Sequence, residues 1–592
     1  MTAARRRQPS RSFARSIVLG FLVAACGSTI DPIPSSAPTP TPPKMTAIPS
    51  SGPFVKIAYP TTGDAPCGQA AAPDPSHGAY AGNLKRISST NARTVVFALC
   101  EPDVAFLSKI AAPAFSINDS GWLTSHIDPA ATGPQAIVTE VNGTGPYRLE
   151  SWKPGAEVSL ARDPAYWGAA AKNERLIVRW TADAAQRTKE LGDGTVDGID
   201  AVDPASVAAM TDNVALTVLP RPGLNVVYLG FDNTVAPFSD ERVRQALAIG
   251  LDRQAIIDTA FPPGTLLASH YTPCTIPHGC AGTRWYDNDP TLAKEMLSGA
   301  GFPSGFDTTI HYADAAHPFL PDPAGVATAL RDALLSDLGI RATIVPEPEA
   351  TYLADVAAGK TAGLLILGQT ATYPDVTSYV DARVGAGASA GLGKKFPDLV
   401  RALAGGATPD AAKREAAYAR ANGLIRTHVP MIPIADVGST AAFRADVAGA
   451  LVSPLGLERF ASMTPGDRRQ LVWLTTAEPA GLYCADESDP VASLLCAQLM
   501  DTLYAYDPTS SGTVPSLAQR CDPNAASTVW TCTIRPGVLF DDGSLLDAND
   551  VVLTFAVQWD AAHPLHHGRE GTFPTFRSSF GGFLNPSPAP GG

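Results

Sequence analysis

Short extended-pattern runs alternate with helix-pattern runs through most of this 592-residue chain, and that alternation confines it to a mixed α/β architecture. Thr94-Val95-Val96-Phe97-Ala98-Leu99 reads as a strand. Alternating apolar and polar positions flank Lys153-Pro154-Gly155-Ala156, the pattern of a two-stranded turn. Residues 176–180 read as a strand, 183–191 as a helix closed by Gly192 and Gly194, and 225–233 as a longer strand. The following helix has Ser239 as its expected N-cap, acids at Asp240 and Glu241 that suit the first-turn dipole, and Val243, Ala246 and Leu247 on one face. Residues 324–338 and 411–426 read as helices, and 342–345 and 429–434 as short strands. A chain this long exceeds one hydrophobic core and divides into at least two lobes.

The N-terminus reads as an export signal. Arg5, Arg6, Arg7, Arg11 and Arg15 precede an apolar run at 17–25, too short to span a bilayer, and Leu22-Val23-Ala24-Ala25 leads into Cys26. Small residues before a cysteine make this a lipoprotein signal, with Cys26 as the lipidated residue. Residues 32–53 are rich in Pro, Ser and Thr and lack an apolar period, so they form an extended tether rather than a core. The formal charge is −13, and removal of the five arginines before Cys26 leaves −18, which argues against nucleic acid as a partner.

With Cys26 assigned to lipid, eight of the nine cysteines remain. Proximity in sequence ranks Cys67 with Cys100, Cys274 with Cys280, Cys484 with Cys496, and Cys521 with Cys532, although eight cysteines allow about 105 connectivities. No C-x-x-C pair or Cys/His set has zinc spacing, so no metal site is expected. His563-Pro564-Leu565-His566-His567 lacks a full ligand set and reads as a surface loop. Gly387-Ala388-Ser389-Ala390-Gly391 matches G-x-S-x-G but sits in a Gly/Ala-rich loop without the strand and helix that a nucleophile elbow needs.

Longer motifs carry a family resemblance. Gly143-Thr144-Gly145-Pro146-Tyr147 through Asp163-Pro164-Ala165-Tyr166-Trp167-Gly168, Pro237-Phe238-Ser239-Asp240-Glu241-Arg242-Val243-Arg244-Gln245-Ala246-Leu247 with Asp252-Arg253, and the 292–301 helix resemble successive blocks of the family 5 extracellular solute-binding proteins, the oligopeptide, dipeptide and nickel receptors of ABC importers. In that family the block at 237–253 is a lobe-packing helix, which implies structural roles for its charges. Leu471-Val472-Trp473-Leu474 resembles the family's first strand, 494–504 its first helix, and Arg535-Pro536-Gly537-Val538-Leu539-Phe540-Asp541-Asp542-Gly543-Ser544 with 546–552 its "R-P-G-V-x-F-x-D-G" segment, where Asp547 can cap the next helix. These opening blocks stand at the C-terminus, and each block occurs once, so the order is that of a circular permutation rather than a duplication.

The resemblance implies an α/β, two-lobed periplasmic-binding-protein-like fold of type II, in the large family 5 variety, with the N-terminal block of the first lobe moved to the C-terminus. It implies residues 1–25 as signal peptide, 26–52 as tether, 53–225 as the first part of lobe I, 226–435 as lobe II, 436–585 as the remainder of lobe I, and 586–592 as a flexible tail. The implied function is capture of a peptide-like or other small solute and its delivery to an ABC importer permease. The chain would be a monomer outside the cytoplasm, tied to the membrane only through lipid. It would have no cofactor and no catalysis, because a binding protein needs a cleft, a hinge and polar anchors. A surface hydrolase lacks any Ser/His/Asp or metal constellation in a fitting context. A sensor or a chaperone on the same fold stays open beside transport.

Ligand choice centres on Gly368-Gln369-Thr370-Ala371-Thr372-Tyr373-Pro374-Asp375. The matching motif in peptide-binding members reads "G-W-x-x-D-Y-P-D-P", with the first aspartate gripping the ligand's ammonium group. Gln369 stands at the tryptophan, Thr372 at that aspartate, and Val376 replaces the last proline, while Tyr373 offers a stacking face and Asp375 remains. A threonine cannot neutralise a buried ammonium, so the resemblance implies a blocked, neutral or non-peptide ligand. Thr475-Thr476-Ala477-Glu478-Pro479 would face the same cleft, with Glu478 as a substitute acid.

Overall fold

The computed structural model describes residues 53–68, 80–130, 135–381, 383–388 and 390–585, all within one compact unit, Met45–Gly592. Cys26, the signal and tether segments before residue 53, Ser389 and the tail at 586–592 lie outside the described residues. Among the described residues no helix is long and apolar enough to cross a membrane.

The central element is a mixed sheet of eleven strands. From one edge its order is Arg341–Glu347, Asp307–Ala313, Leu364–Thr370, Leu216–Phe231, Met431–Arg444, Gly198–Ile199, Gln470–Thr475, Arg175–Trp180, Glu157–Arg162 and Tyr147–Lys153, with Leu266–Leu267 pairing against Met431–Arg444. Leu216–Phe231 and Met431–Arg444 are the long members, of 16 and 14 residues, and they run antiparallel through the middle. Their ladder slips at two places, between Pro433 and Ala435 and between Val437 and Ser439. Bulges there let the chain keep pairing while the strand bends.

These strands run past the expected 225–233 and 429–434 at one end and stop two residues short at the other, with Val429 capping the preceding helix; Pro220, Pro222, Gly223 and Gly438 would each break a strand locally, yet Pro220 pairs with Thr440 and Arg221 with Ser439. Gly223 lies where a Cβ would meet the Val437 carbonyl oxygen at 1.6 Å, so only glycine lets the two backbones approach.

Three larger hydrophobic clusters organise the body. One is built entirely from residues between Leu224 and Val437 around Tyr228, Phe231, Leu330 and Ile432. A second joins residues from Ala65 to Val138 with residues from Tyr483 to Phe580, including Phe97, Phe115, Phe555 and Trp559. A third joins Tyr147, Leu160 and Val178 to Phe443, Phe460, Trp473 and Leu499. Sequence-distant segments thus share cores: Gln470–Thr475 pairs in parallel with Arg175–Trp180, Leu471 opposite Leu176 and Trp473 opposite Val178. Val529–Ile534 pairs antiparallel with Thr94–Leu99 in a five-stranded sheet.

Local signals account for several helix ends. Asp547 caps Ala548–Trp559 in a reciprocal capping box with Asp550. Asp240, not Ser239, caps Glu241–Gly250, its carboxylate accepting from the Arg242 amide at 2.9 Å. The helix expected at 494–504 runs instead from Pro490 to Leu499, and Tyr504–Tyr506 is a strand. It stops there because the Gly145 amide donates to the Leu499 carbonyl at 3.0 Å, a cap supplied from another part of the chain. Disulfides join Cys67 to Cys100, Cys274 to Cys280, Cys484 to Cys496 and Cys521 to Cys532.

Candidate functional site

Where the two long strands cross between the clusters, they border a cavity of about 530 Å³. Asn225, Pro262, Pro318 and Val437 contribute walls from the Leu224–Val437 cluster's segment, while Asp200, Arg221, Thr475, Thr476 and Leu494 contribute from outside it. The volume suits a small solute, and the walls mix apolar faces with a few polar groups.

Arg221 is the electrostatic centre of this wall. Its guanidinium donates to Asp200 Oδ1 and Glu458 Oε1, each at 2.6 Å, and to Ser439 Oγ at 3.1 Å. Burial opposes the charge on Arg221, but the two carboxylates outweigh it and hold the pKa above its ordinary value. Burial raises the Glu458 carboxyl above the usual range, with Arg221 pulling the other way. The Glu458 side chain is 1 % exposed and that of Asp200 is 25 % exposed, so Asp200 is the carboxylate of the pair that meets solvent. Arg187 shapes the rim by donating to four carbonyls, of Thr181, Ala182, Asp200 and Ala201, at 2.7 to 3.0 Å. Asp436, on a crossing strand, is buried with Oδ1 unpartnered, and burial pushes its pKa up to about 7.

The segment 369–375 lies next to this cavity, linked to its wall through Thr370 Oγ1, which donates to Asn225 Oδ1 at 2.8 Å. Gln369 donates to the Ser378 carbonyl and accepts from Arg383 at 3.4 Å. The Thr372 amide donates to Ser378 Oγ at 3.0 Å, and its exposed side chain makes no hydrogen bond among the described residues. Tyr373 lies beneath Lys109 Nζ, 4.9 Å from the ring centre, and the Pro374 carbonyl accepts from Ser108 Oγ at 3.2 Å. These contacts tie the segment to Phe106–Ile110, a helix of the second cluster. Asp375 is buried and accepts from Arg414 at 2.7 and 2.8 Å, and from the Thr377 amide and hydroxyl.

Glu478 is not among the residues that line the cavity; its carboxylate accepts from Trp152 Nε1 and the Gly155 amide, each at 3.0 Å, on the tip of the 147–162 hairpin. Its neighbours Thr475 and Thr476 do line the cavity. Sequence reasoning missed Asp200, Arg221, Asn225 and Glu458; the available signal was an arginine enclosed by Pro220 and Pro222 in an otherwise apolar run. His563 Nδ1 accepts from the Leu565 amide and His566 Nδ1 bonds the Val557 carbonyl, both local contacts. Among the described residues, His270, Cys274 and Cys280 form the one cluster of metal-ligating types, and its two cysteines are bonded to each other.

A family model described as bacterial extracellular solute-binding proteins, family 5 Middle, matches residues 67–391. The chain is 27 % identical over 387 residues to the heme-binding protein A of Haemophilus influenzae, spanning 64 % of this chain and 69 % of that protein. It is 25 % identical over 388 residues to the dipeptide-binding protein of Escherichia coli, spanning 64 % and 71 %. The solved structure of HbpA2 from Haemophilus parasuis superposes with a TM-score of 0.58 at 23 % identity, over 65 % of this chain and 76 % of that one, a likeness of fold.

Proposed function

This chain belongs to the bacterial extracellular solute-binding proteins, family 5, and we propose that it captures a peptide-like or other small solute at the strand crossing and delivers it to the permease of an ABC importer. The observation that carries this reading is the cavity of about 530 Å³ whose walls come from both sides of the crossing strands. A ligand there touches two cores joined by a bendable ladder, the arrangement that hinge closure needs. The names of the heme-binding and dipeptide-binding relatives support a small solute.

The same reading places a lipid anchor at Cys26, with lobe I formed by 53–225 and 436–585, lobe II by 226–435, and the chain order circularly permuted. In support of the permutation, Gln470–Thr475 lies between Arg175–Trp180 and Gly198–Ile199, with one copy of each family block in the chain. In support of the lobes, the buried members of one cluster all fall between Leu224 and Val437.

The ligand we expect lacks a free ammonium group, because Thr372 stands where peptide-binding members place an acid and Asp375 is committed to Arg414. Calorimetry with a free peptide and its acetylated form, on the wild type and Thr372→Asp, tests this. The wild type should not favour the free peptide, and the variant should favour it. A preference for the free peptide above about tenfold in the wild type, roughly 1.4 kcal/mol, overturns the reading and shifts attention to Asp200.

A further inference from the structure

A second cavity, of about 440 Å³, lies apart from the strand crossing, between the second and third hydrophobic clusters, and shares no lining residue with the first. The 453–459 segment separates them: Pro454, Leu455 and Gly456 face the crossing cavity, while Ser453, Leu457, Glu458 and Arg459 line the second. Its other walls include Tyr166, Trp167, Asp501, Tyr506 and Arg535.

Two guanidinium groups line it, and neither has a carboxylate within ion-pair distance among the described residues. Arg459 donates to the Tyr506 carbonyl at 3.4 Å, and Arg535 donates through Nε to the Ser516 carbonyl at 2.5 Å. No other hydrogen bond holds their remaining N–H groups among the described residues. Arg535 also lies over the Trp167 ring, 5.0 Å from its centre, which fixes the guanidinium plane. Two cavity-lining arginines without an ion-paired acid among the described residues are unexpected in a chain of formal charge −13.

The acids nearby are already committed. Glu458 is held by Arg221 at 2.6 Å on the far side of the dividing segment. Asp501 accepts from Trp167 Nε1 at 2.8 Å, Thr144 Oγ1 at 3.2 Å and Tyr166 OH at 3.5 Å, so it fixes the aromatic wall. Lys172 adds a further cation to the lining and forms no ion pair among the described residues. The cavity therefore has excess positive charge beside aromatic faces, in a volume suited to a small organic molecule. Guanidinium forks select carboxylates through paired hydrogen bonds, and rings select a flat apolar body.

We propose that this cavity is a second ligand site, separate from the strand crossing, that takes a small aromatic carboxylate, its anion on Arg459 and Arg535 and its ring against Tyr166 and Trp167. The proposal stands independently of which solute occupies the strand crossing.

Calorimetric titration of the full mature chain with phenylacetate and with its uncharged amide, phenylacetamide, tests it. Phenylacetate should bind at least about tenfold tighter than the amide, since charge-assisted hydrogen bonds are lost with the charge. Arg459→Gln and Arg535→Gln should each weaken phenylacetate by about tenfold or more, with Arg535→Lys between wild type and Arg535→Gln. Thr476→Trp, which fills the strand crossing, should leave phenylacetate binding unchanged. Equal binding of phenylacetate and the amide by the wild type overturns the proposal without any variant having to fold, as does no phenylacetate binding up to about 10 mM. Loss of binding in Thr476→Trp with retention in both glutamine variants assigns the ligand to the strand crossing and overturns it too.

Discussion

Replacing Arg221 with methionine removes the one cation that holds two carboxylates at the strand crossing. Arg221 contacts Asp200 and Glu458 at 2.6 Å each, and the Glu458 side chain is 1 % exposed. Asp200, at 25 % exposure, keeps water and should tolerate the change. Glu458 cannot: breaking a buried pair from one side costs about 3–5 kcal/mol because the other charge is left uncompensated. The carboxyl, already raised by burial in the wild type, rises further and takes up a proton. Between the ordinary carboxylate range and that raised value the native variant holds one more proton than the unfolded chain. Its stability therefore falls as pH rises, by about 1.4 kcal/mol per pH unit. The stability is fully present below the unfolded pKa and lost as pH climbs to the folded one. A window two pH units wide amounts to about 2.7 kcal/mol, near the low end of the figure for a broken pair. Urea unfolding at pH 5, 6, 7 and 8, followed by the fluorescence of the eight tryptophans, should show a deficit against wild type that widens with pH, and Arg221→Met with Glu458→Gln should recover most of it. A deficit equal at pH 5 and pH 8, or no recovery in the double variant, refutes the reasoning.

Other perturbations probe separate parts of the molecule. Ending the chain after Asp467 removes the strand Gln470–Thr475 from the middle of the large sheet and more than half of the buried residues of the second cluster, including Phe555 and Trp559; at about 1.5–3 kcal/mol per large buried side chain the remainder should show no cooperative melt, and a native-like melt contradicts this. Asp436→Asn should stabilise the protein more at pH 8 than at pH 5, because the wild-type carboxyl, with a pKa of about 7, contributes stability that is fully present below its unfolded pKa and lost as pH rises to that value; thermal melts at both pH values check it. Cys26→Ala should move the mature protein from the membrane fraction to the soluble fraction, and continued membrane association counts against lipidation.

The local parts of this architecture were legible in the sequence. The hairpin around Lys153-Pro154-Gly155-Ala156, the capped helix after Asp547 and the strand at 471–474 each rest on turn residues, a cap or an apolar period within one short window. What escaped depends on partners far along the chain. Leu216–Phe231 runs through Pro220, Pro222 and Gly223, which a window reads as a break, because Met431–Arg444 accommodates them with register shifts. The helix ends at Leu499 because of Gly145, more than 350 positions earlier. Glu478 reads as a ligand acid from its place after a strand, yet the hairpin tip at Gly155 takes its carboxylate. Arg221 reads as an isolated charge until Asp200 and Glu458 are brought to it.

The crossing strands carry one more consequence. The chain enters the Leu224–Val437 cluster through one of them and leaves through the other, and the two are hydrogen-bonded neighbours. Zipped strands resist stretching and sliding, so the soft motion left is twist and bend at the two register shifts. Closure over a ligand, on the proposed function, would then order essentially one coordinate and cost little entropy. Measured affinity is the intrinsic affinity scaled by the fraction of molecules already in the closed geometry. On the proposed function, the backbone at Gly223 and Gly438, where a Cβ would collide with the carbonyls of Val437, Arg221 and Gly264, would set binding strength through population rather than through any contact with the solute.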